Sequence, residues 1–146
     1  MLPTLLLLLA QAGAWTPRTE PALQAALAQT CAASVADKKP VLLQFSAEWC
    51  GDCRAAEALK ADPAVQAELA GWHTLVIDVG RFERHQPLLK AFGATGIAWW
   101  VAVGPVDCAQ PAEAWPRLKV GPIEPTSDRA VETPAQLVGW LTSARG

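Results

Sequence analysis

The segment Phe45-Ser46-Ala47-Glu48-Trp49-Cys50-Gly51-Asp52-Cys53-Arg54 restricts this chain more than any other, because it sets two cysteines, two residues apart, between an apolar run and a stretch of helix formers. Val41 to Phe45 is short and almost wholly apolar, which suits a strand buried on both faces at the centre of a sheet. From Cys53 to Ala70 the residues Ala55, Ala56, Ala58, Leu59, Val65 and Leu69 favour helix, interrupted at Asp62-Pro63. The spacing predicts a helix, a break, and a second short helix capped by Asp62 with Pro63 in its first turn. A cysteine in the first turn of a helix has free backbone N–H groups aimed at its sulfur and the positive end of the dipole beneath it. Both favour the thiolate, which is the attacking form in disulfide exchange. A second cysteine three residues along lies close enough to attack a mixed disulfide and release the product.

The remaining chain predicts an alternating order. Pro21 to Lys38 is an alanine-rich run with apolar residues at three-and-four spacing, a first helix stopped by Pro40. Leu75 to Val79 reads as another buried strand, Phe82 to Phe92 as a helix closed by Gly93, and Ile97 to Val103 as a third strand. Gly104 to Pro116 is a loop rich in turn formers, and Arg117 to Val120 an edge strand returning antiparallel. Thr133-Pro134 opens a last helix through Leu141. The pattern is α/β, with helices on both faces of a mixed sheet.

A chain of 146 residues suits one domain, and with 51% apolar and 18% charged residues it belongs to the globular range. The formal charge of −2 comes without a basic cluster able to follow a phosphate backbone, so nucleic acid is not an expected partner. Residues 1–14 differ from the rest. Leu2 to Ala10 is nearly all apolar, shorter than the roughly 20 residues of a membrane-spanning helix. Two A-x-A patterns follow it, Ala10-Gln11-Ala12 and Ala12-Gly13-Ala14. The expectation is a signal peptide or apolar leader over 1–14 and a single domain over 15–146, exported to the periplasm or beyond and tethered if the leader is not removed. The leader lacks the positively charged start usual in such segments. Four cysteines are compatible with an oxidising compartment.

The cysteine segment, with the Lys39-Pro40-Val41 lead-in and the aromatic Trp49, resembles the active-site region of the thioredoxin superfamily, and the likeness extends from about Ala22 to Leu141. The Asp62-Pro63-Ala64-Val65-Gln66 run is most similar to exported thioredoxin-like domains that pass electrons in the bacterial periplasm. The resemblance implies a three-layer α/β/α sandwich with Cys50 as exposed nucleophile and Cys53 as the more buried, resolving thiol. It also implies protein disulfides as substrates, a membrane electron carrier as donor, a monomer, and no cofactor. Two positions depart from the family. Where a cis-proline is usual, this chain reads Ile97-Ala98, and because a cis bond before a non-proline costs about 2.5 to 4 kcal/mol, a trans bond and an altered groove are expected. Gln44 stands where the family carries a buried acid, and it cannot accept the resolving thiol's proton; water or Glu48 would substitute. Gly51-Asp52 separates the cysteines. The charge of Asp52 disfavours a thiolate at Cys50 and leans the pair toward reduction, unless Asp52 serves only the helix N-terminus.

C-x-x-C is also half of a tetrahedral zinc site, but the second half is missing, since Cys31 and Cys108 are isolated and His73 and His85 are not spaced as ligands. No metal is expected. His85 is placed on a solvated helix face beside Arg84, and His73 in a loop before a strand. Cys31 and Cys108 could bridge, stay free, or form a second redox relay. The thioredoxin-like placement of the first helix and the turn after the third strand, both away from the active site, favours a structural bridge. Trp49, Trp99 and Trp100 are candidates for a substrate-facing surface, with Trp99 and Trp100 pointing to opposite faces. Trp72, Trp115 and Trp140 are read as packing. Beside the reductase reading stand an oxidase or isomerase and a binding module with little turnover.

Overall fold

The structure, a computed structural model, describes residues 14–145, so the expected leader lies outside the described residues except for Ala14. Helix α1, Glu20–Asp37, starts where the Thr19 hydroxyl accepts the amide of Ala22 and ends at Lys38 in the left-handed region. It buries Leu23, Leu27, Cys31 and Ser34, one stripe at helical spacing. Strand β1, Val41–Ser46, is buried throughout, as its almost wholly apolar run predicts for a central strand. Helices α2, Gly51–Leu59, and α3, Pro63–Leu69, follow, divided as expected, with the Asp62 carboxylate accepting the amide of Ala64. The chain continues through β2, His73–Asp78, α4, Gln86–Ala91, β3, Trp99–Val103, β4, Arg117–Pro122, and α5, Pro134–Arg145. Thr133 caps α5 through the amide of Gln136, while the Gln136 side chain accepts the amides of Glu132 and Thr133, a reciprocal cap.

The sheet order is β2-β1-β3-β4, with β1 parallel to β2 and antiparallel to β3, and β4 returning antiparallel at the edge. Strand alternation splits the core into two layers. Val41, Leu43, Phe45, Trp99, Val101 and Val103 pack with α1 and α4 on one face. On the other, Leu42, Trp100 and Ala102 pack with Cys53, Ala56 and Val65 of α2 and α3 and with Leu137 and Leu141 of α5. Each such side chain contributes roughly 1.5–3 kcal/mol on burial, so the two layers together hold the sheet between helices.

The expected helix over Phe82–Phe92 is shorter than its composition suggested. Gly80, Phe82 and His85 all have positive φ, and the 79–85 segment is tied into bends by side chains. Asp78 accepts the amide of Gly80 at 2.7 Å and Arg84 at 3.1 Å, and Glu83 accepts the amide of Arg81. His85 is therefore not on a solvated helix face. It caps α4 in the left-handed region, is 5% exposed, and its Nδ1 lies 2.5 Å from Glu20 Oε1. A carboxylate from a helix 65 residues earlier, invisible to local periodicity, holds it inside. His73 is likewise not in a loop: it begins β2 and its Nε2 lies 2.8 Å from Asp37. Among the described residues no helix is long and apolar enough to cross a membrane.

Candidate active site

The centre of the sheet delivers the cysteine pair. β1 ends at Ser46, and Cys50 becomes the N-cap of α2 in an extended conformation, its sulfur accepting the amide of Cys53 at 3.2 Å. Sulfur here takes the place a serine or aspartate oxygen takes at most helix starts, where unpaired N–H groups converge. That surrounding favours a thiolate in the reduced state. Cys50 and Cys53 are bonded to each other in this structure. Cys50 is 5% exposed and Cys53 1%, so Cys50 presents the more accessible sulfur. Gly51, between the cysteines, has open space where a side chain would be.

Opposite the pair, the Ile97 carbonyl oxygen lies 3.6 Å from the Cys50 sulfur. The Ile97–Ala98 peptide bond is cis, which corrects the expected trans bond. Intrinsic preference was overridden by tertiary contacts: Ala98 is buried against the α2 layer, and its carbonyl accepts the amide of Ile123 beyond β4 at 3.0 Å.

Asp52 does something neither expectation foresaw. Its Oδ1 accepts both the amide of Thr126 at 2.9 Å and the Thr126 hydroxyl at 2.5 Å, so the residue between the cysteines ties down the turn before the last helix. Glu48 is exposed, and what it contributes is its carbonyl, which accepts Arg54. Of the three candidate tryptophans only Trp49 faces solvent, at 41% exposure. Trp99 and Trp100 lie on opposite faces of β3, both in the core. The Trp49 indole donates to the Gly80 carbonyl at 2.7 Å and meets Phe82 edge-on.

Gln44 is 1% exposed and faces the same layer as Cys53. Its Oε1 accepts Lys60 Nζ at 2.5 Å, Lys60 also pairs with Glu57, and the Gln44 Nε2 has no hydrogen-bond partner among the described residues. Burial holds the Lys60 ammonium below the ordinary lysine range, against the opposing pull of Glu57. The buried acid's place is thus taken by an amide joined to an ion pair. Only the Glu57-to-Lys60 spacing on one helix hinted at that pair. Arg81, Phe82 and Thr126 carried no such hint, because they come to the site from distant loops.

Cys31 and Cys108 form a disulfide with Cα atoms 5.8 Å apart. Cys108 follows β3, whose last residue Val103 pairs with Val41 at the start of β1, whereas Cys50 follows the opposite end of that strand. The bridge and the C-x-x-C therefore occupy opposite ends of the sheet. Among the described residues no three His, Cys, Asp or Glu side chains cluster as a metal site would require.

A dithiol at the start of a helix, fed by the central strand of a β2-β1-β3-β4 mixed sheet, defines a thioredoxin-type protein. Residues 23–78 match the Thioredoxin family model. Over 117 residues the chain is 34% identical to the thiol:disulfide interchange protein DsbD 1 of Pseudomonas aeruginosa, an alignment covering 69% of this chain and 19% of that protein. The chain thus spans about a fifth of the length of that relative. A disulphide isomerase from Xylella fastidiosa Temecula1 superposes with TM-score 0.66 at 25% identity, covering 86% of this chain and 96% of the other. The reduced C-terminal domain of Neisseria meningitidis DsbD shares the fold with TM-score 0.66 at 23% identity, covering 89% of this chain and all of that domain, 100%. By its fold and by the segment that matches the family, the chain belongs to the thioredoxin superfamily.

Proposed function

We propose that the chain is a dithiol reductase of protein disulfides. The Cys50 thiolate attacks one sulfur of the substrate disulfide, and the leaving substrate thiolate takes up a proton. The Cys53 thiol then loses its proton and attacks Cys50 of the mixed disulfide. The substrate leaves with two thiols and the protein keeps the Cys50–Cys53 disulfide, two electrons having passed to the substrate. A dithiol protein or membrane electron carrier returns them.

The observation that carries this reading is the Cys50 sulfur at the N-cap of α2, accepting one backbone N–H. Its direction is supported by what surrounds the sulfur. Strong oxidants owe their potential to a heavily stabilised thiolate. Among the described residues no Lys, Arg or His side chain bonds to Cys50, and the acidic residue of the first turn, Asp52, follows it two positions along the chain. Action outside the cytosol, as a monomer delivered by the leader over 1–14, is part of the proposal. The Cys31–Cys108 bridge supports it, because such bridges persist in oxidising compartments.

The test is insulin reduction by the protein and by Cys50→Ser, together with the reduction potential of the pair. Turnover lost in Cys50→Ser and a potential near that of thioredoxin are expected. Equal rates would remove Cys50 from the mechanism. A potential near that of the strong periplasmic oxidants would favour an oxidase or isomerase, the reading that the likeness to the Xylella disulphide isomerase would support. Cys53→Ser, which stalls at the mixed disulfide, would identify the substrate by capture.

A further inference from the structure

Beside Cys50 two aromatic rings stay exposed although each is firmly held. Trp49 is 41% and Phe82 38% exposed, their centroids 5.8 Å apart in an edge-on contact. The Trp49 indole is anchored to Gly80, and the loop carrying Phe82 is fixed by Asp78, Glu83 and Arg84. Phe82 has φ 71° and Gly80 φ 58°, so the backbone is bent specifically at this point. Ring exposure built this way serves a contact better than it serves the core.

Charge gives the surface a direction. The Arg81 guanidinium lies over the Trp49 ring at 5.5 Å and makes no ion pair among the described residues. The neighbouring carboxylate of Glu83 is occupied by the Arg81 amide and Arg84. Glu48, the exposed residue preceding Trp49, is the acidic neighbour of this surface in the chain.

We propose that Trp49, Phe82 and Arg81 form a docking shelf for an extended disulfide-bearing segment whose cysteine is flanked by an apolar side chain and, beyond it, a carboxylate. This rests on the reading of the chain as a thiol–disulfide exchanger. The apolar residue covers the two rings, the carboxylate meets Arg81, and the substrate sulfur reaches Cys50, the residue after Trp49. Trp49, Phe82 and Arg81 bind and orient the segment. The sulfur chemistry stays with the cysteines.

The test uses the reduced full chain and two cyclic disulfide peptides, identical except that a cysteine is flanked by Phe-Asp in one and Phe-Lys in the other, with hydroxyethyl disulfide as a small neutral probe. Single-turnover rates at low salt are expected to favour the Phe-Asp peptide about five-fold, the scale of one exposed charge pair, and to lose that preference at high salt. Arg81→Glu should reverse the preference. Phe82→Ala should weaken binding of both peptides about ten-fold relative to peptides with Ser in place of Phe. A wild-type preference near one, or one unchanged in Arg81→Glu, while hydroxyethyl disulfide is still reduced, would overturn the shelf and leave the exchange reading standing. A reduced protein inert to all three probes would overturn both.

Discussion

Asp52 and Thr126, 74 residues apart in sequence, are joined by two hydrogen bonds to a single carboxylate oxygen, at 2.9 and 2.5 Å. The dipeptide between the redox cysteines thereby holds the 124–128 turn, which leads through a 3-10 turn at Arg129–Val131 into α5. One side chain carries two separable properties: a charge near Cys50 and a tether to a distant loop.

Two substitutions separate those properties. Asp52→Asn keeps an acceptor oxygen for Thr126 but removes the charge, so the Cys50 thiol should titrate lower and the pair should become more oxidising. Thr126→Val removes the hydroxyl bond and keeps the charge. It should leave the potential near that of the parent and cost about 1 kcal/mol in denaturant unfolding. A Thr126→Val variant whose potential moves as far as that of Asp52→Asn would contradict this separation.

Removing the Cys31–Cys108 bridge by a Cys31→Ala, Cys108→Ala double substitution reopens a loop of sequence separation 77. The chain-entropy model puts the loss at about 4 kcal/mol, measurable by urea unfolding. Because the bridge sits at the end of the sheet away from Cys50, disulfide exchange by the remaining folded protein should persist. Loss of exchange at a temperature where the variant is fully folded would point to a redox relay instead.

Lys60 makes stability depend on pH at the alkaline end. Burial lowers its folded-state value below the ordinary lysine value of 10.5, so between the two values the unfolded chain binds more protons than the folded one. Stability from this group therefore rises with pH through that window, approaching its full value near 10.5. Lys60→Met should flatten that rise in unfolding free energy measured across the alkaline range. An identical slope in both proteins would exclude Lys60 as its source.

At the acid end, the bond to His73 and, secondly, the amide of Lys39 hold the Asp37 carboxyl below its ordinary value of 3.8. Any stability it contributes is present above that value and lost as pH falls through the lower, folded one. Carboxyl NMR titration should show Asp37 ionising below 3.8 in the parent and shifting upward in His73→Gln. No shift in the variant would remove His73 as the main cause.

The elements were legible where their causes are local. An apolar run makes β1, Asp62-Pro63 divides α2 from α3, and Thr133-Pro134 starts α5, each from side chains within a few residues. The strand-to-helix placement of Cys50 and Cys53 belongs to this group, which is why the centre of the site could be read from the chain. His85 and the shortened α4 could not be, because Glu20 and the bent 79–85 segment overrule the helical composition there.

Sequence by itself determined the alternation of helices and strands, the two-layer core and the cysteine pair at the end of the central strand, since these follow from periodicity, capping and spacing. Tertiary structure decided the rest of the site. The Ile97–Ala98 bond is cis against its intrinsic preference, and the Asp52–Thr126 tether, the Lys60–Gln44 contact and the Trp49–Phe82–Arg81 surface each join residues that only folding brings together. The physical reason is the same in each case: a buried or bridging side chain takes its geometry from partners across the fold, and such partners leave no mark on local propensity.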